Sequence, residues 1–311
     1  MRPLRIAIIG FGKIAADQHV PSISANPRLE LAATVSRQGA GVLGLPSFTS
    51  HQELLAAGLE LDGVAITTPP NVRYAIARDC IEAGLHCMLE KPPTVTLSEI
   101  EDLACLAEGR QVTLQTTWHS QHNPAVTAAA EALAGKRIRS MALTWHEDVR
   151  KWHPGQEWIF DAGGFGVFDP GINAFSILMK IFPGALFVRE AELRFPENRQ
   201  APIAAEIDFA SPVAEGPLHA SLNFRHSGEE AWNIEIQTSD GGSIVLRKGG
   251  SELEVDGRSV AGEGPGEYSE LYRQFVDLID TRGSLVDVRP LRLVADAFML
   301  GRRETVERFD F

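Results

Sequence analysis

Cysteine is scarce in this chain: Cys80, Cys87 and Cys105 are the only three in 311 residues. An odd count without C-x-x-C spacing argues against a disulfide framework and suits reduced thiols in the cytoplasm. Long apolar runs are also missing. The richest stretch, residues 165–187, is interrupted by Asp169, Pro170, Asn173, Lys180 and Pro183, short of the roughly 18 uncharged residues that a membrane helix needs. The run at 6–9 is too brief for a secretory segment and is broken by Gly10 and Lys13, so it reads as a buried strand. Positive charge is in deficit, since 29 Lys and Arg against 41 Asp and Glu give a net charge of −12. Nucleic acid and membrane surfaces, which select for clustered Lys and Arg, are therefore not expected partners.

What is present is globular in character. Hydrophobic residues make up 44% and charged residues 23%, which sets aside disordered and fibrous readings. The length predicts about two domains. Short β-branched runs at 5–10, 31–35, 63–67, 86–90 and 111–116 alternate with helical stretches at 13–23, 51–57, 72–83 and 98–107. That alternation predicts an α/β domain with a parallel sheet. Leu97, Ile100, Leu103, Ala104 and Ala107 recur at steps of three and four, with Ser98 or Thr96 placed to cap that helix. After about residue 120 the rhythm changes. Strands are predicted at 137–149, 187–195, 203–210, 218–226, 232–238 and 243–247 without helices between them, which implies a large, mostly antiparallel sheet. Helices at 267–280 and 289–302 close the chain. The expected division is a doubly wound domain over 1–120 and an α+β domain over 121–311, with the closing helices packing back on the first.

The first predicted strand runs into Gly10-Phe11-Gly12-Lys13-Ile14-Ala15, a G-x-G-x-x-A turn between strand and helix. Gly10 permits the tight turn, Gly12 lets the backbone approach a pyrophosphate, and Ala15 lets the helix pack closely on the strand. The helix N-terminus then offers N–H groups to the phosphates. The second strand ends in Val35-Ser36-Arg37 rather than in an acidic residue. Ser36 and Arg37 suit a ribose 2′-phosphate, so NADP is expected in preference to NAD.

Thr67-Thr68-Pro69-Pro70-Asn71, Glu90-Lys91-Pro92-Pro93 and the Gly163–Asn173 stretch GGFGVFDPGIN follow in order. With the Gly10 turn, these motifs resemble the glucose–fructose oxidoreductase / inositol dehydrogenase family across essentially the whole chain. Thr117-Trp118-His119 and Lys151-Trp152-His153-Pro154-Gly155-Gln156 resemble, more narrowly, its bacterial L-arabinose / D-galactose 1-dehydrogenase branch. The resemblance implies a Rossmann domain, a C-terminal domain with a large open sheet used for dimerisation, and a homodimer. It also implies oxidation of an aldopyranose at C1 to its lactone, with hydride transfer to NAD(P)+. Other members of the fold are sugar or polyol dehydrogenases, NAD-dependent glycosidases and non-catalytic regulators.

Site residues follow from the same resemblance. Gly10, Gly12, Lys13, Ile14, Ser36, Arg37, Thr67, Thr68, Pro69, Asn71, Glu90 and Lys91 are expected around the cofactor. Lys91 is placed at the reacting hydroxyl, in a Lys91-Pro92 bond that the family holds cis, and Glu90 is expected to position the cofactor or Lys91. Asp169, followed by Pro170, fits a helix N-cap and is the expected proton acceptor. Asn173 stands four residues on, where the commoner family pattern has histidine; an amide accepts no proton at neutral pH, so Asn173 is expected to orient the sugar or nicotinamide. Glu147, at the end of the Met141-Leu143-Trp145 alternation, is expected to contact the sugar together with His119, Trp152, His153 and Trp232. No metal is expected: the histidines lack a cysteine pair or an H-E-x-x-H helix.

Overall fold

The computed structural model describes residues 2–260, 262 and 264–311. It divides into two compact units, Met1–Trp118 with Pro265–Val288, and His119–Gly264 with Arg289–Phe311. Of the two closing helices, Glu267–Thr281 thus belongs with the first unit, whereas Arg289–Leu300 belongs with the second.

The first unit is built on a six-stranded sheet of β1 (Leu4–Ile9), β2 (Leu29–Val35), β3 (Ser47–Phe48), β4 (Gly63–Ile66), β5 (His86–Leu89) and β6 (Leu114–Thr116). The strand order is β3-β2-β1-β4-β5-β6 and every pairing is parallel, the order of a Rossmann fold, with its switch point between β1 and β4. Such strands are covered on both faces and read as unbroken apolar runs. Accordingly Ile6, Ala7, Ile8, Val64, Ala65, Ile66, Cys87, Met88 and Leu89 are all buried. The Leu97–Arg110 helix starts in a capping box between Thr96 and Glu99 and buries Ile100, Leu103 and Ala107, so Thr96 rather than Ser98 is the cap. The two-residue β3 escaped the sequence reading because it is too short to carry a period.

The second unit holds a nine-stranded sheet: β7 (Ile138–His146), β8 (Phe187–Pro196), β9 (Ala204–Ala210), β10 (Leu218–Asn223), β11 (Ala231–Thr238), β12 (Ser243–Arg247), β13 (Glu252–Val255), β14 (Arg258–Val260) and β15 (Gly301–Val306). Their order is β14-β13-β12-β11-β7-β10-β9-β8-β15, antiparallel except at β10–β7 and β15–β8. Burial alternates along β10, along β7 from Met141 and along β9 from Ala205. One face carries Met141, Leu143, Trp145, Ile207, Ala220 and Leu222 into the core, under the helices Pro124–Leu133, Phe168–Ile181 and Arg289–Leu300. The other face shows Thr144, His146, Glu206, Asp208, Ser221 and Asn223.

Phe175 is fully buried on the Phe168–Ile181 helix, against Phe168 and, edge to face, Phe209. Phe175→Ala should cost about 3–5 kcal/mol, through lost burial and the void left behind. A fall in the denaturant midpoint of that size is the expected reading, and an unchanged midpoint would show that the site refills.

Candidate active site

Pairing of β1 with β2 on one side and β4 on the other delivers the Gly10 turn, the Ser36 loop and the Thr67 loop to one edge of the sheet. The Gly10 and Phe11 amides both donate to the Val35 carbonyl at 2.9 Å, and Thr67 Oγ1 donates to the Gly10 carbonyl at 2.7 Å. Gly10 has φ +102°, and a Cβ there would lie 2.6 Å from the Thr68 amide nitrogen, so the turn itself requires glycine. Gly12 differs. A Cβ there would meet only the Gly10 carbonyl, at 3.8 Å, so the chain's own packing does not demand glycine, whereas close approach of a pyrophosphate does.

The segment after Gly12 supports the same reading. No side chain caps the helical turn that begins at Ile14, and Ala15 is buried in a core cluster with Ile6, Ile8 and Met88. Lys13 and Ile14 are exposed, with Lys13 paired to Asp17. Thr68 Oγ1 is buried and has no hydrogen-bond partner among the described residues, an acceptor-donor left for a ligand at the cradle. Pro69 caps the Pro70–Glu82 helix, and Asn71 is exposed in its first turn. Ser36 is tied through its amide to the Phe48 carbonyl at 2.9 Å, and Arg37 is exposed beside it. These residues fit a dinucleotide.

The Lys91 turn is held from two sides. Arg73, buried on the Pro70–Glu82 helix, donates to the carbonyls of Thr68, Glu90 and Pro92, which ties the Thr67 loop to the Lys91 turn. Glu90, only 5% exposed, accepts the Lys91 amide on Oε2 at 2.8 Å. Its Oε1 accepts the Tyr268 hydroxyl at 2.8 Å and lies 3.2 Å from His19 Nε2. The Lys91-Pro92 bond is cis. Glu90, expected to position the cofactor or Lys91, is engaged here with the Lys91 backbone amide.

In the second unit the segment after β7 lies over the end of β10. The Glu147 amide donates to the Asn223 carbonyl and the Val149 amide to that of Phe224, each at 2.9 Å. Glu147 is buried, and its carboxylate accepts Trp232 Nε1 at 2.8 Å, so the charge is not left alone in the interior. Trp232 in turn contacts Trp145 and Trp152, with ring centroids 6.2 and 5.6 Å apart. Trp152, 45% exposed, is steadied by Nε1 donating to Glu230 at 2.7 Å, and Glu230 also accepts Lys151 at 2.8 Å. Burial works against the Glu230 charge, but the bonds from Lys151 and Trp152 outweigh it and hold its carboxyl below the ordinary value.

His153 follows directly. Its ring stands edge-on to Phe224, and Nε2 lies 3.4 Å from Asp169 Oδ2. Asp169 is 3% exposed and sits inside the first turn of the Phe168–Ile181 helix, whose N-cap is Val167. The expected N-cap role is therefore corrected: the helix starts two residues earlier, with Phe168 buried in its first turn, and Asp169 meets the positive end of the helix from within. Asn173 is one turn further on, half-buried.

The structure thus joins Glu147, Trp232 and Trp152 in one aromatic cluster and His153 with Asp169 beside it. His119 opens the unit, half-buried, with Nδ1 3.4 Å from Ser120 Oγ. Glu230, Arg73, His19, Tyr268 and Tyr272 escaped the sequence reading. Only the two tyrosines carried a signal, an i, i+4 pair on the apolar face of an amphipathic helix. Among the described residues no group of three or more His, Cys, Asp or Glu is placed to hold a metal. Burial pushes the Cys80 thiol up to about 12 and that of Cys87 well above its ordinary value, so neither is a ready nucleophile.

Comparison with known proteins agrees with this geometry. Residues 4–118 match the model of an oxidoreductase family with an NAD-binding Rossmann fold. Galactose 1-dehydrogenase from Pseudomonas fluorescens is 44% identical over 311 residues, 99% of each chain. The crystal structure of a D-galactose-1-dehydrogenase protein from Rhizobium etli superposes with TM-score 0.94 at 48% identity, covering 100% of this chain and 99% of that one. A 3-ketoreductase from Actinomadura kijaniata in complex with NADP and TDP-benzene shares the fold at TM-score 0.84 and 18% identity, covering 98% of this chain and 100% of its own. The parallel sheet with its glycine turn and the full-length similarity lead to one assignment: the chain belongs to the glucose–fructose oxidoreductase / inositol dehydrogenase family of oxidoreductases.

Proposed function

We propose that the protein oxidises an aldopyranose, D-galactose or L-arabinose, at C1 to the aldonolactone with NADP+ in preference to NAD+. The observation that carries this reading is the buried Asp169 carboxylate with the His153 imidazole 3.4 Å away, in a chain 44% identical along its length to a galactose 1-dehydrogenase. A buried carboxylate paired with an imidazole is suited to take up a hydroxyl proton and pass it on. Gly10, Gly12, Thr67, Thr68 and the uncapped turn at Ile14 would hold the dinucleotide, and Ser36 with Arg37 its 2′-phosphate. What the cofactor supplies when bound is the hydride acceptor.

As the C1–H electron pair leaves the sugar, its C1 hydroxyl must lose a proton for the lactone carbonyl to form. The Lys91 ammonium hydrogen-bonds that oxygen and favours its developing negative charge. Asp169 takes the proton. His153, more exposed than Asp169, then relays it to solvent. Glu147 and Asn173 hydrogen-bond the remaining hydroxyls, with His119 a further contact, and Trp152 and Trp232 offer an aromatic face to the ring. The two candidate sugars share ring stereochemistry and differ by the C5 hydroxymethyl, which separates them by only about 1–3 kcal/mol unless a polar group reads it. The open face of the nine-stranded sheet is proposed to pair with a second copy. The reduced thiols suit action in the cytoplasm.

Absorbance of reduced nicotinamide should grow with D-galactose, L-arabinose and D-fucose; a broad aldose panel that reduces neither NADP+ nor NAD+ would sink the reading. Asp169→Asn should lower kcat by about 10²–10⁴-fold at unchanged fold, and near-normal turnover would move the proton acceptor elsewhere. Arg37→Ala should raise the KM for NADP+ roughly tenfold or more, the worth of one charge-assisted bond, while leaving that for NAD+ near its original value. Equal effects on both cofactors would refute the 2′-phosphate contact.

A further inference from the structure

Glu90 is a buried carboxylate whose partners come from far apart in the chain. His19 belongs to the wide turn Ala15–His19 that follows the glycine turn, and Tyr268 and Tyr272 to the Glu267–Thr281 helix, nearly 180 residues beyond Glu90 (268 against 90). All three side chains are buried. Glu90 Oε1 lies 2.8 Å from the Tyr268 hydroxyl and 3.2 Å from His19 Nε2, while Oε2 takes the Lys91 amide at 2.8 Å. His19 Nδ1 is 2.7 Å from the Tyr272 hydroxyl.

Proton positions follow from the donor inventory. An ionised carboxylate only accepts, so Tyr268 donates its O–H and His19 its Nε2–H; in the neutral imidazole Nδ1 is then the acceptor, and Tyr272 donates to it. Burial, reinforced by the Glu90 charge, pushes both phenols well above their ordinary value, so they remain donors across the working range. The donors from Tyr268, His19 and the Lys91 amide satisfy the buried carboxylate and fix it. Two of them pin Oε1, which aims Oε2 at the Lys91 amide.

We infer that Tyr268 and His19 are positioning residues for Lys91, acting through the Glu90 carboxylate, and that Tyr272 acts behind His19. The inference rests on the proposed role of Lys91 at the reacting hydroxyl. His19 lies on the stretch that starts at the phosphate-binding turn, so the same contact ties the cofactor-binding helix to the lysine. The network sets where the ammonium stands, and displacement of about 1 Å is enough to lower turnover on the order of 10²-fold.

The test uses the full-length protein with D-galactose, L-arabinose and NADP+, comparing Lys91→Ala, Tyr268→Phe, His19→Leu and His19→Gln. Tyr268→Phe and His19→Leu should lower kcat about 10–100-fold, with the sugar KM and the NADP+ Kd within roughly twofold of the parent. His19→Gln, which retains an N–H donor, should recover part of the loss. If Tyr268→Phe fails to fold, the Leu and Gln variants at position 19 decide the matter. Wild-type kcat in Tyr268→Phe and His19→Leu, with Lys91→Ala inactive, overturns the positioning network alone. A parallel loss of kcat, KM, cofactor affinity and melting temperature, without rescue by Gln, also overturns it, in favour of a structural role. Full turnover in Lys91→Ala overturns the proposed role of the lysine and the inference with it.

Discussion

A parallel sheet has to be covered on both faces, and that constraint organises the first unit. β1 sits at the centre with Ile6 and Ile8 fully buried, and a face left open there would put an apolar surface in water. The cover is completed by the Glu267–Thr281 helix, whose Tyr272, Phe275 and Val276 join Ile6, Ile8, Ala65 and Met88 in one cluster. At about 25 cal/mol per Å² of apolar surface, burying each such side chain contributes about 1.5–3 kcal/mol. The chain therefore has a strong energetic reason to bring a late helix back to an early sheet. In doing so it places two tyrosine hydroxyls within reach of Glu90 and His19, so packing and polar chemistry share one helix.

The second sheet solves the burial problem differently. The alternation along β10 and most of β7 and β9 needs helices on one side only. The covered side packs Leu222 beneath Gly171 of the Phe168–Ile181 helix, where a Cβ would come within 2.7 Å of the leucine. That close approach fixes the height of the helix over the strands. Asp169, two residues earlier, is fixed with it beside His153. Helix–sheet packing in the core therefore sets the geometry of the Asp169–His153 pair, the proposed proton acceptor.

Much of the fold was legible in the sequence because it rests on period and punctuation. The β/α alternation, the Gly10 turn and the change to consecutive strands after about residue 120 needed no tertiary information. Short strands such as Ser47–Phe48 and Arg258–Val260 were not legible, since two or three residues carry no period. Asp169-Pro170 signalled the start of the Phe168–Ile181 helix, but its extent was hidden because apolar residues surround it almost completely, as its burial shows. Within the candidate site, motif residues could be named one by one, but their partners could not. Nothing local links His19 to Glu90, or Glu230 to Trp152; those contacts exist only because distant segments are brought together by packing.

The pairing of His153 with Asp169 bears on the replacement of the family's commoner histidine by Asn173. Asp169 and Asn173 are one turn apart on a helix, so a histidine at 173 would approach the carboxylate's surroundings from the same helix. Here an imidazole reaches Asp169 from the segment after β7 instead, backed by Phe224. A carboxylate buried to 3% exposure benefits from such a partner, since an unpaired charge in that setting is costly. The imidazole can also carry a proton outward, which an amide at 173 cannot do. The substitution at 173 thus leaves the proton chemistry intact in the proposed mechanism and releases that position to hydrogen-bond the sugar as both donor and acceptor.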